Sequence, residues 1–138
     1  MSLQNVFDIA GSSLVAQTIR LNTTASNMAN ADSMSADPNS VYRGLRPVFA
    51  AVYDNASSQP SSSAQVAIVD VVEMETPPEK RYEPGNPNAD EQGFVYYSPI
   101  EVVSEMADMM SATRSYEMGV EIMSNVKMMQ QSLLSLGK

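Results

Sequence analysis

Neither cysteine nor histidine occurs in the 138 residues. The first absence excludes disulfides and thiolate metal sites, the second imidazole ligands and every triad built on a histidine base. Positive charge is scarce: 8 Lys and Arg against 16 Asp and Glu leave a formal net charge of −8. A phosphate backbone or an anionic membrane face therefore repels the chain, and nucleic acid is not an expected partner. Long apolar runs are missing as well. The longest, Val48 to Tyr53, is much too short to span a bilayer, so no membrane insertion is expected. The N-terminus has neither the basic stretch nor the continuous apolar segment of a cleaved signal peptide.

What is present gathers at the two ends. Ser98-Pro99-Ile100-Glu101 has the spacing of a capping box, with Pro99 at the first helical position and Tyr97 and Val102 placed as a hydrophobic staple, so a helix is predicted over 98–138 with Gly137 as its stop. About 38 residues at ~1.5 Å each make a rod of roughly 57 Å, longer than the core of so small a domain needs. One seam along it reads Val102, Met109, Tyr116, Met123, Gln130 and the next Met106, Thr113, Val120, Lys127, Leu134. Of the 11 methionines, Met106, Met109, Met110, Met118, Met123, Met128 and Met129 lie here; their spacing fits an adaptable packing face better than a soft-metal site.

Residues 1–30 carry the other helical pattern, with Phe7, Ala10, Leu14, Leu21, Ala25 and Met28 on one side. The stripe is thin and interrupted by Ser, Thr and Asn, which offer the backbone competing hydrogen bonds, so this helix is expected to form on contact. Residues 31–40 read as a loop and 41–97 as a small β domain. Its strands are predicted at 41–53, with Pro47 marking an edge or a bulge, at 66–74, 80–82 and 94–97. A Ser-rich loop at 54–65, lacking any apolar period, reads as flexible. The expected fold is α+β: long N- and C-terminal helices side by side, coiled-coil-like, with a small, mostly antiparallel β insertion between them. Two helices and so modest a β unit leave apolar surface uncovered, which implies self-assembly or a partner.

Catalytic and metal chemistry find little support. Asn86, Asn88 and Asp90 alternate like the front of a calcium loop, but Glu91 stands where the sharp turn needs glycine. Glu73, Glu75, Glu79 and Glu83 read as a solvated acidic edge. No catalytic residue, metal ligand or cofactor is expected. Arg114 is spaced to pair with Glu117 or Glu121 along its helix, or to set register between helices in an assembly.

Three pieces of the chain resemble the axial proteins of the bacterial flagellum, and among them the proximal rod proteins of the basal body. They are Asp8-Ile9-Ala10-Gly11-Ser12 with Ser26-Asn27-Met28-Ala29-Asn30-Ala31-Asp32; Tyr82 through Pro84-Gly85-Asn86-Pro87 to Asp90; and Glu105-Met106 through Ala112-Thr113-Arg114-Ser115-Tyr116 to Leu136-Gly137. Met28 replaces the usual leucine, a volume-conserving exchange. The resemblance implies a structural subunit, exported by the flagellar type III apparatus without a cleaved signal peptide and assembled in the periplasmic rod with copies of itself, other rod proteins and the adaptor at the rod base. It further implies an assembly interface of Phe7, Leu14, Leu21, Asn27, Met28, Asn30, Met106, Met109, Thr113, Arg114, Tyr116, Val120, Met123 and Leu134. The reading from another class is a soluble helical adaptor or type III secretion chaperone.

Overall fold

The computed structural model describes residues 3–53 and 64–136. Helix α1 (Leu3–Ala29) is followed by β1 (Met34–Ser35), β2 (Leu45–Tyr53), β3 (Ala64–Glu73), β4 (Glu79–Tyr82), β5 (Phe94–Tyr97) and helix α2 (Val102–Leu136). The class is α+β, with the two long helices packed together and the strands inserted between them in sequence. The Ser and Thr residues that make α1 a weak helix on its own turn their hydroxyls back onto it: Ser12 donates to the Ile9 carbonyl (2.9 Å), Thr18 to Leu14 (2.9 Å) and Thr23 to Arg20 (2.9 Å).

The insertion is two antiparallel sheets rather than one unit. β2 and β3 form a long two-stranded ribbon in which Pro47 faces Val71, and its register shifts after Val48. Val69 is the extra residue there, since Val48 pairs with Asp70 and Phe49 with Ile68. Pro47 thus lies at an edge and next to a bulge, because every strand of a two-stranded ribbon is an edge. Residues 54–63 of the predicted flexible loop lie outside the described residues, as does Gly137, while Ala64 and Gln65 already belong to β3. The second sheet has the order β1-β5-β4. Its β1 falls where composition predicts only a loop, because two residues supply too little pattern to read. In the turn before β5, Gly93 takes φ +82°, and the Asp90 carboxylate accepts from the Gln92 and Phe94 N–H groups (2.9 and 2.8 Å). One oxygen each of Asn86 and Asp90, two residues of the calcium-like alternation, thus holds a turn, Asn86 accepting from the Asn88 N–H at 3.0 Å.

The start of α2 differs from the capping-box expectation. Ser98 N–H pairs with the Ser33 carbonyl at 3.0 Å, which extends the β1–β5 ladder by one residue and holds Ser98 to Ile100 out of the helix. The Ser98 hydroxyl is buried without a hydrogen-bond partner among the described residues, and the first helical turn is closed by Glu105 N–H on the Glu101 carbonyl (3.1 Å). A strand already committed to pairing outcompetes a cap.

α1 and α2 run antiparallel, and the contact between them is made by small side chains. The buried row on α2 is Glu105, Ala112, Gly119 and Val126, one residue ahead of the predicted Met106-Thr113-Val120-Lys127 seam. Apolarity favoured the wider methionine and valine rows, but helix backbones approach most closely where side chains are smallest. A Cβ added at Gly119 would lie 2.8 Å from Leu14 Cδ2 and 3.2 Å from its Cγ. Gly119→Val is expected to destabilise the fold by about 2 kcal/mol despite the poor helix propensity of glycine, because the half-buried Leu14 must give up its place against α2. Adding Leu14→Ala should recover part of that loss in urea unfolding; full stability of Gly119→Val alone would refute the contact.

Candidate assembly interface

The site is built outward from a polar residue. Asn27, in the last turn of α1, is fully buried, and its side-chain amide uses its whole hydrogen-bonding capacity. Its Nδ2 donates to the Leu45 carbonyl (3.0 Å) and to Glu105 Oε2 (3.1 Å), and its Oδ1 accepts from the Leu45 N–H (2.8 Å) and the Tyr42 hydroxyl (3.2 Å). Since Tyr42 donates to Asn27, Ser26 supplies the hydrogen of the 3.0 Å contact between the two hydroxyls. Gly44 lies against the site: a Cβ there would make ordinary van der Waals contact with Met74, Ile100 and the Asn27 amide.

Glu105 is buried to 3% exposure, and its second oxygen accepts from Arg46 at 2.8 Å. The Arg46 fork also reaches Asp108 (2.7 Å), one turn further along α2, and Arg20 of α1 closes on the other Asp108 oxygen (3.1 Å). Paired guanidinium and carboxylate groups balance in charge, so the cluster holds α1, β2 and α2 together without leaving a buried carboxylate unpaired. The Arg46 hydrogen bond, followed by that of Arg20, holds the Asp108 carboxyl below its ordinary range.

Outside this cluster the helices are greasy and open. Met106, Met110, Met118, Val120, Ile122, Met128, Met129, Leu133 and Leu134 of α2 are all at least 46% exposed.

Residues 7–33 match the family model described as flagella basal body rod protein, and residues 91–136 match that of the flagellar basal body rod FlgEFG protein C-terminal region. The flagellar basal-body rod proteins FlgC of Escherichia coli O157:H7 and of Salmonella typhimurium are each 45% identical to the chain over 138 residues, all of both chains. That of Aquifex aeolicus is 42% identical over 128 residues, 92% of this chain and 91% of its own. The chain belongs to the FlgC family of flagellar basal-body rod proteins. The two matched regions are the two that Asn27 and Glu105 join, so the hydrogen bond between them links both recognisable halves of this FlgC-family chain.

The residues expected at an assembly interface divide into three sets. Asn27 is consumed inside the fold, and Asn30 is half-buried, its amide donating to the Ser26 carbonyl (2.8 Å). Leu14, Leu21, Met28, Met109 and Met123 are half-buried, Leu14 against Gly119. Phe7, Met106, Thr113, Arg114, Tyr116, Val120 and Leu134 are exposed and free for contacts outside the chain. Sequence reasoning missed Arg20, Tyr42, Arg46 and Asp108. A polar cluster assembled from three separate stretches has no periodic signature, and Glu105 stands out in the sequence by resemblance rather than by charge. Ser124 and Lys127 have the Ser-x-x-Lys spacing of a serine-lysine pair and stand exposed on α2; Ser135 and Lys138 share the spacing, with Lys138 outside the described residues.

Asn27→Ala leaves Glu105 and the Leu45 backbone short of partners in a buried site and is expected to cost about 3 kcal/mol. Asn27→Asp, equal in shape, sets a second carboxylate 3.1 Å from Glu105 and should cost more at neutral pH. Chemical denaturation of both variants checks the order. For Asp108 the folded pKa is the lower one, so its contribution is complete above its ordinary 3.8 and disappears as the pH falls from there through the folded value. The difference in Tm between the native chain and Asp108→Asn should therefore be largest near neutral pH and shrink below 3.8.

Proposed function

We propose that this chain is a building block of the flagellar rod, assembling with copies of itself and with other rod proteins into the periplasmic shaft that transmits torque. The exposed apolar rows on α2, beside the full-length likeness to FlgC proteins, carry the reading: a fold this open needs its neighbours to bury what it cannot. In this account the helices over 1–30 and 98–138 are the assembly elements, the segment 31–40 connects them to the β domain, and the β domain of 41–97 contacts neighbours farther out. The rod-base adaptor is one such neighbour. The weakly self-stabilised α1 suits passage through the type III export channel as an unfolded chain, for which a cleaved signal peptide is not needed. The absence of cysteine avoids unwanted crosslinks on an oxidising side. The chain's part in the rod is mechanical rather than catalytic.

Head-to-tail contacts that do not close on themselves generate a helical assembly of this kind, and load then spreads as shear over many packed helices. The adaptor or chaperone reading would instead have the chain remain in the cytoplasm as a stable closed dimer. Val120, 46% exposed in the single chain, separates folding from assembly. Val120→Asp should leave helical circular dichroism and Tm nearly unchanged, since surface substitutions shift stability by about 0.5 kcal/mol or less. The same variant should abolish swimming and be absent from purified basal bodies. Normal motility would overturn the packing model.

A further inference from the structure

Each helix has a second face that its partner in the same chain does not use. On α1 it runs through Asp8, Gly11, Val15, Thr18 and Asn22, and on α2 through Ser104, Ala107, Ser111, Arg114 and Met118. Steps of three and four residues give both rows the spacing of a coiled-coil seam. Apart from half-buried Gly11 all of these residues are exposed, and the position a Cβ would take at Gly11 has no atom within 4 Å. The α2 row borders an open groove of about 430 Å³ between Met110 and Met118.

The two rows complement each other in size and in charge. Val15, 62% exposed, is the bulkiest apolar group on the α1 row, and Ala107 and Ser111 are the small places on the α2 row. Setting Val15 against Ala107 in an antiparallel pair brings Gly11 to Ser111, where Met110 can fill the empty notch, and brings Asp8 to Arg114. Asp8 and Arg114 take part in no ion pair among the described residues. Sliding the pair by one heptad instead opposes Asp8 to Glu121 and presses Val15 onto Arg114, so charge selects the first register.

This contact cannot form within one chain. Leu14 on Gly119 and Asn27 on Glu105 fix an internal register in which Val15 lies level with Glu117, ten residues or ~15 Å along α2 from Ala107. We infer that the outward row of α2 receives the outward row of α1 from a second copy of this chain, antiparallel, in the register that sets Arg114 against Asp8. The inference rests on the assembly of copies proposed above. Copies pointing the same way along a shaft place α1 of one antiparallel to α2 of the next, and the contact repeats without closing.

With no native cysteine, disulfide trapping has no background. Oxidising basal bodies that carry Val15→Cys together with Ala107→Cys should give a ladder of crosslinked multimers, and either substitution alone should give none. A single substitution that crosslinks would show a two-fold contact, and a ladder from Asn22→Cys with Ala107→Cys would show the heptad-shifted register; each overturns the inference. So does the lack of a ladder in rods that contain the double variant. Charge exchange decides independently: Asp8→Arg and Arg114→Asp should each reduce the swimming rate at least tenfold and restore it when combined, and failure of the pair to restore it refutes the register. Whether the native chain is recovered in basal bodies tests the rod reading separately from either result.

Discussion

The amide of Asn27 treats the backbone at Leu45 as a neighbouring strand would, giving an N–H and a carbonyl to a residue just where β2 begins. The remaining donor and acceptor of the same amide reach α2 through Glu105 and the β2 approach through Tyr42. No other described side chain touches three elements by so many bonds. Its dependence on exact complement explains why the position suits asparagine: a carboxylate would lack the donor, a serine the reach, and an apolar group both. Once Asn27 is in place, the end of α1, the root of the ribbon and the first turns of α2 have one relative arrangement.

Buried ionic clusters are an indifferent source of stability, because desolvation offsets most of the attraction. Their value here is selectivity. The helix seam is lined by Ala112, Gly119 and Val126, and of these only Gly119, which receives Leu14, marks the register. Arg46 forking onto Glu105 and Asp108, with Arg20 on the far side, admits only the register in which all four charges meet. One close helix contact at Gly119 and strict polar matching around Asn27 and Glu105 together yield one structure from a chain with few large core residues.

The elements were legible where pattern repeats: α1 spans Leu3–Ala29 and the longer strands fall within a few residues of their apolar runs. Legibility failed where a short-range cue met a long-range competitor. Ser98 has the sequence of a cap and the hydrogen bond of a strand, and only the distant Ser33 decides between them. Of the two rows predicted on α2, the one through Met106 and Val120 is off by one residue because hydrophobicity ranks methionine above glycine, whereas close approach ranks them the other way; Met109, Met123 and Gln130 of the other row are half-buried beside the seam. The polar cluster was invisible for a related reason. Asn27 looks like one more helix-weakening asparagine until Leu45 and Glu105, 18 and 78 residues away, are brought to it.

The same division explains why the chain can be so open yet so specific. Large apolar groups are turned outward on α2, while the groups turned inward are small, hydroxylated or charged. A conventional domain would invert that order, and its core would then stabilise the isolated molecule at the expense of anything its surface could gain by contact. Here the inward groups determine shape and the outward groups leave apolar surface that contact with a neighbour would cover. A subunit arranged in this way has its shape set by polar contacts and gains hydrophobic stabilisation when a neighbouring helix covers its outward rows.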